Sequence, residues 1–250
     1  RGYNVLYITM EMAEERIAER IDANLLDVDI NLLKTLTKVE YDKKFASLKN
    51  KTNGKIIIKE YPTASASTLH FKALLNELQL KKNFKPAIIF IDYLNICASS
   101  LIRPGGNVNF YTYIKAIAEE LRGMGVEFDV PVVSATQTTR GGFDNSDLEL
   151  TDTSESFGLP ATADFMAAII SNEDLEALGQ LMIKILKNRY QDKNVNKRFV
   201  VGVDRPKMRL YDVSPSAQQN IQDAGQVKAD APHKPFDRPQ KSRDFSKFKL

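Results

Sequence analysis

The feature that most constrains this chain is an alternation. Short apolar runs of strand length recur between longer segments with helical spacing, and that order folds as a parallel sheet with helices on its faces. The runs are VLYIT (5 to 9), KIIIKE (55 to 60), AIIFID (87 to 92), VPVVSAT (130 to 136), FMAAIIS (165 to 171) and LMIKILK (181 to 187). After the first of them, MAEERIAERIDANLL spaces Met12, Ile17, Ile21 and Leu25 along one helical face. Its first turn carries Glu14 and Glu15, where the helix dipole favours acids. Residues 67 to 80 and 109 to 124 also have helical spacing. The stretch KRFVVGVDRPKMRLYDV alternates around a turn at DRP and reads as an antiparallel hairpin at the sheet edge.

A chain of 250 residues with 43% hydrophobic content can fill one large domain or two small ones. Lys and Arg number 35 against 32 Asp and Glu, a net charge of +3, so the whole-chain charge does not point to nucleic acid and any basic surface is local. The single cysteine, Cys97, excludes an internal disulfide framework and a cysteine-based zinc site, and it suits a reducing cytosol. It reads as a small buried apolar residue. No apolar run reaches the roughly 18 residues of a membrane span. RGYNVLYI lacks the layout of a signal peptide, and a start at Arg1 reads as the downstream part of a longer gene product. From Ser214 onward the chain holds four of its ten prolines and few large aliphatics, too little apolar area to offset ordering entropy. Residues 214 to 250 therefore read as a disordered tail. Its end, RDFSKFKL, sets Phe245, Phe248 and Leu250 among basic residues, as a docking peptide would; a frayed terminus gives the same pattern.

In an open α/β sheet, ligands sit at the carboxyl ends of the strands, so polar residues that close an apolar strand carry the chemistry. Three strands end this way: YITMEM with Glu11, IIFIDY with Asp92, and VVSATQTTR with Gln137 and Arg140 entering the loop RGGFDNSD. Singly, each has a structural explanation as a first-turn acid, a cap or a loop amide. Together they match what nucleotide hydrolysis needs: a metal anchor, a group that orients the attacking water, and a sensor of the γ-phosphate. The phosphate cradle G-x-x-x-x-G-K-S/T does not occur in the chain, and RPGGNV and TRGGFD lack its ending and read as loops. Either the chain is not a nucleotide hydrolase, or that cradle precedes Arg1.

A resemblance decides between these. NVLYITMEMAEE, AERIDANLLDV, LLNELQLKKNF, IDYLNIC, IKAIAEELR, ESFGLPATADF and ILKNRYQDKN follow in order from Arg1 to Val213. This series resembles the motor domain of the DnaB-like replicative helicases of T-even-type bacteriophages, a branch of the RecA-fold hexameric helicases. The resemblance implies a RecA-like parallel sheet flanked by helices over residues 1 to 213. It also implies a P-loop one helix before the first strand of this chain, so that the chain alone is expected to be inactive.

It further implies ATP and Mg²⁺ as cofactors. Glu11 becomes the general base or water-orienting acid, Asp92 the Walker B partner of the Mg²⁺ shell through water, and Tyr93 a packing or supporting residue beside it. Gln137 becomes the sensor, with Arg140 in the same loop. Lys187 and Arg189 in ILKNRY match the family's basic pair that reaches into the neighbouring subunit's ATP site; taken alone, KNRYQDKN is a solvated basic turn. TDTSESFGLPATAD resembles the stretch that lines the DNA channel, which places Ser154, Glu155 and Phe157, with Arg140, against the DNA backbone. The wider family has Arg and Gly where Ser154 and Phe157 stand here, and a hydroxyl or backbone N–H binds phosphate with a weaker salt dependence than a guanidinium. GLPATAD also fits a rigid turn before a strand. The partners implied are single-stranded DNA, a ring hexamer of the same chain, a primase and a loading protein, in the cytoplasm of a bacterial host, with no membrane.

Two rivals stay open: a RecA-like recombinase or regulatory ATPase, and an interaction domain that has lost nucleotide binding. His70 and His233 form no metal pair. Lys81 to Lys85 read as a solvated helix end, and Arg16 and Arg20 as structural ion pairs along one helix face.

Overall fold

The computed structural model describes residues 2–49, 54–103, 108–138, 150, 158–192 and 197–219. Four strands form a wholly parallel sheet: β1 (Val5–Thr9), β2 (Ile56–Glu60), β3 (Ile88–Asp92) and β4 (Val132–Ser134), in the order β2-β1-β3-β4. Helices α1 (Glu14–Leu26), α2 (Ile30–Leu33) and α3 (Lys38–Lys49) connect β1 to β2; α4 (Thr68–Lys82) connects β2 to β3, and α5 (Phe110–Glu127) connects β3 to β4.

The pleat sorts the strands' side chains. Leu6 and Ile8 of β1 and Ile89 and Ile91 of β3 are buried on one face, against Phe71 and Leu75 of α4 and Ile114, Ile117, Leu121 and Met124 of α5. Phe71 is fully buried, and truncating such a ring to Ala costs about 3–5 kcal/mol. Tyr7, Phe90 and Asp92 are among the residues pointing the other way, and the Tyr7 and Phe90 rings stack at 6.2 Å. In α1 the buried stripe is Ile17, Ala23 and Leu26, while Leu25 is exposed; the helix is turned from the face that Leu25 predicts. The strand expected over 130 to 136 shrinks to three residues, because Pro131 offers no N–H to the ladder and only its carbonyl pairs, with Ile89 N at 3.0 Å.

Two of the six expected strands lie outside the parallel sheet. A short helix α6 (Gly158–Thr162) leads to β5 (Phe165–Ile170), then α7 (Glu173–Ala177), β6 (Gln180–Asn188), β7 (Arg198–Asp204) and β8 (Arg209–Asp212). These strands form an antiparallel sheet in the order β5-β6-β7-β8. The link from β5 to β6 spans only residues 171 to 179, shorter than the dozen or more that a parallel crossover needs. The hairpin expected at DRP is β7–β8, and its turn docks on the end of α1: Lys207 and Arg209 reach Asp27 at 2.9 and 3.1 Å. Residues Pro215–Gln219, which composition places in the tail, form a helix α8 whose Gln218 side chain bonds both backbone groups of Val200. The rest of the expected tail lies outside the described residues. Among the described residues, no helix is long and apolar enough to cross a membrane.

Candidate functional site

Parallel pairing brings the three polar strand ends to one edge. β1 and β3 run in register with Thr9 opposite Asp92, and the Met10 N–H donates to the Asp92 carbonyl at 3.0 Å, so exposed Glu11 begins one residue beyond that bond. Buried Thr9 fixes the turn into α1: its hydroxyl donates to the Met12 carbonyl at 2.8 Å and accepts from the Met12 N–H at 3.1 Å. β4 lies on the other side of β3, tied by the Ser134 hydroxyl to the Ile91 carbonyl at 2.8 Å. Beyond it, Gln137 Nε2 donates to the Tyr93 hydroxyl at 3.2 Å. Glu11, Asp92 and Gln137 are thus gathered at the carboxyl edge of three adjacent strands, and Tyr93 carries the Gln137 contact.

Two residues that sequence reading passed over also belong here. The Tyr7 hydroxyl donates to Asp92 Oδ2 at 2.9 Å, orienting the carboxylate from the strand beside it. Burial and the bond to Asp92 push the Tyr7 phenol well above its ordinary pKa, against a smaller opposing pull from Arg20. Arg20 makes no ion pair among the described residues, so the structural pairing expected of it is not formed; Arg16 does pair, with Glu19 at 2.8 Å. Tyr7 carries no local sequence signal; the β1–β3 register, with Tyr7 opposite Phe90, puts it on the same face as Asp92.

The second is Glu120 of α5, which pins the loop after β3 from below. It accepts from Ser99 Oγ at 2.5 Å, Thr68 Oγ1 at 2.8 Å, the Ser100 N–H at 2.9 Å and the Ser100 hydroxyl. Burial raises the Glu120 pKa, but these donors outweigh it and hold the carboxyl below the usual range. Cys97 is buried in the same core, where burial pushes its thiol up to about 12. It is an inert packing residue.

Lys187 and Arg189, at the end of β6, do not join Glu11 and Asp92. The Lys187 ammonium donates to the Pro160 and Ala161 carbonyls at 2.5 and 3.1 Å, and Arg189 Nη2 to the Ala161 carbonyl at 2.7 Å. These are orphan carbonyls at the end of α6, where a helix dipole favours cations. Burial and the neighbouring Arg189 lower the Lys187 pKa. Arg140, Ser154, Glu155 and Phe157 lie outside the described residues.

Fold and site together define an open α/β protein whose strand ends gather carboxylates and an amide at one edge. Residues 1–200 match the DnaB-like helicase C terminal domain family, and the chain belongs to that family. It is 44% identical over 236 residues to the DnaB-like replicative helicase of Enterobacteria phage T4, covering 92% of this chain and 50% of that protein. It is 28% identical over 205 residues to a probable plasmid replicative DNA helicase of Chlamydia psittaci, covering 76% and 41%. The chain thus spans half or less of the length of these relatives. Among solved structures, a DnaB-like replicative helicase studied with its primase superposes with a TM-score of 0.65 at 17% identity, covering 85% of this chain and 51% of that one. A second solved structure, described as an ATPase domain, superposes at 0.66 and 18% identity, covering 84% and 75%. The chain shares the fold of these proteins, a RecA-like parallel sheet flanked by helices.

Proposed function

We propose that this chain is the motor part of an ATP-driven replicative DNA helicase, one that translocates on single-stranded DNA and unwinds duplex at a phage replication fork in the host cytoplasm. The observation that carries the reading is the gathering of Glu11, Asp92 and Gln137 at the carboxyl edge of β1, β3 and β4 in a member of the DnaB-like family.

The residues fit Mg²⁺ with ATP. Asp92, whose Oδ2 accepts the Tyr7 hydroxyl, would hold the ion as the single carboxylate at this edge of β3. One carboxylate plus waters and substrate phosphates is how Mg²⁺ is commonly held. When bound, the ion supplies charge neutralisation on the phosphate oxygens. Glu11 takes the proton of the attacking water, and Gln137 reports the γ-phosphate to the loop that follows it. Lys187 and Arg189 act on the neighbouring subunit's ATP, where a guanidinium steadies the charge on the transferring group. Arg140, Ser154, Glu155 and Phe157 contact the DNA backbone.

Residues 1–213 form the motor, α8 docks on its β7 strand, and the tail follows α8. The chain holds no G-x-x-x-x-G-K-S/T cradle, so the 250 residues alone hydrolyse no ATP. A hexameric ring, a primase and a loading protein complete the assembly. The test is ATP turnover by the complete protein with and without single-stranded DNA. DNA-stimulated turnover that falls on the order of 10²-fold or more in Glu11→Gln, with ATP still bound, supports the reading. Turnover unaffected by Glu11→Gln would sink it.

A further inference from the structure

One carboxylate holds two guanidiniums next to the proposed trans-acting pair. Asp164, between α6 and β5, accepts from Arg122 Nη1 at 2.7 Å and from Arg189 Nη1 at 2.8 Å, both on Oδ1. Its backbone carbonyl also accepts from the Arg189 N–H at 3.0 Å, so main chain and side chain of Arg189 are fixed to the same residue. Arg122 is in turn anchored on the Thr162 carbonyl at 2.6 Å, which ties the group to α5 and the core. Burial raises the Asp164 pKa, but the two guanidiniums outweigh it and keep the carboxyl below the usual range.

The three side chains are each about a third or more exposed, so the ion pairs themselves contribute little to stability. Their geometry matters more. A free arginine samples many rotamers, and freezing it costs up to about 2 kcal/mol of side-chain entropy. Here that cost is met before any ligand arrives. Arg189 uses one N–H on Asp164 and one on Ala161, and among the described residues the remaining three of its five side-chain N–H groups meet no acceptor. Neither Arg122 nor Asp164 is aimed at an anion itself: one is turned onto the carboxylate, and the other is that carboxylate.

We propose that Asp164, braced by Arg122, is the positioning residue for Arg189, setting the guanidinium in the pose from which it reaches the neighbouring subunit's terminal phosphate. This rests on the trans-acting reading of Arg189. Displacement of a positioned group by about 1 Å can cost on the order of 10²-fold in rate.

The test is a double-variant cycle on DNA-stimulated ATP turnover by the complete protein, with ring assembly monitored by light scattering. Asp164→Asn lowers kcat on the order of 10²-fold with KM for ATP unchanged. In an Arg189→Ala background the same change has no further effect, because the two residues act as one unit. An Asp164→Asn loss that multiplies with that of Arg189→Ala indicates a merely structural role and overturns the proposal. Full kcat in Asp164→Asn while Arg189→Ala is impaired also overturns it, and leaves the function reading intact. Full kcat in Arg189→Ala overturns the trans-acting reading and this proposal with it. If Asp164→Asn does not assemble, Arg122→Gln replaces it in the cycle: a loss of kcat absent from the Arg189→Ala background is expected, and full kcat overturns the proposal.

Discussion

Tyr7→Phe isolates a single hydrogen bond. The ring and its 6.2 Å stack on Phe90 stay, and only the hydroxyl that donates to Asp92 Oδ2 at 2.9 Å is removed. A bond to a charged acceptor contributes about 1.5–3 kcal/mol. Asp92 is only half-buried and water can replace the donor, so the lower end applies, about 1.5 kcal/mol at neutral pH. In a chain of this size each kcal/mol moves Tm by about 2–4 °C.

The pH dependence carries the diagnostic sign. The folded-state pKa of Tyr7 is raised above its ordinary 10.0, so the folded protein keeps a proton that the unfolded chain loses. Stability from this group is therefore fully present below the ordinary value and is lost progressively as pH rises from there toward the folded pKa. The assay is urea unfolding of the wild-type chain and Tyr7→Phe at pH 7, 9 and 11. The difference in unfolding free energy holds from pH 7 to 9 and shrinks at pH 11, while deprotonation of lysines cancels between the two proteins. Equal stability at pH 7, or a difference that does not change with pH, refutes the assignment of Tyr7 as the donor to Asp92.

Glu120→Gln replaces one acceptor oxygen by a donor facing Ser99, Ser100 and Thr68, a loss of about 2–4 kcal/mol readable as an earlier urea midpoint. The Glu120 carboxyl lies below its ordinary range, so its contribution is present above that range and fades as pH falls through the folded value, where wild type and Glu120→Gln converge in stability. Gly202→Ala sets a Cβ 2.3 Å from the Tyr211 ring across β7 and β8, and overpacking of this kind costs about 1–3 kcal/mol. A companion Tyr211→Ala change restores the lost stability in the same melt, since it removes the clashing ring.

Much of this architecture is legible in the chain because its signals are local. The apolar runs give the strands, and a polar residue closing a run marks Glu11, Asp92 and Gln137 without any knowledge of neighbours. The structure adds what depends on pairing. The turn between β5 and β6 is too short for a parallel crossover, a constraint present in the sequence that run-counting alone does not use. Tyr7 sits inside an apolar strand and reads as core filler until register sets it beside Asp92, 85 positions away. Glu120 lies 20 to 52 positions from Ser100 and Thr68, and the group carries no local motif. Asp164 falls between a helix and a strand, and only the β5–β6 pairing reveals that it meets Arg189. Leu25 shows the limit of helical spacing: periodicity finds the helix, but tertiary packing decides which apolar residues face inward.

As the proposed metal-side acid of an ATP site, Asp92 needs its charge for turnover. The most direct measurement is Mg²⁺-dependent ATP hydrolysis by the complete protein on single-stranded DNA, comparing wild type with Asp92→Asn, which keeps the side chain's shape and removes its charge. The expected result is a loss of turnover on the order of 10²-fold or more, with an increased Mg²⁺ requirement and an intact fold. Wild-type turnover and Mg²⁺ dependence in Asp92→Asn would contradict it.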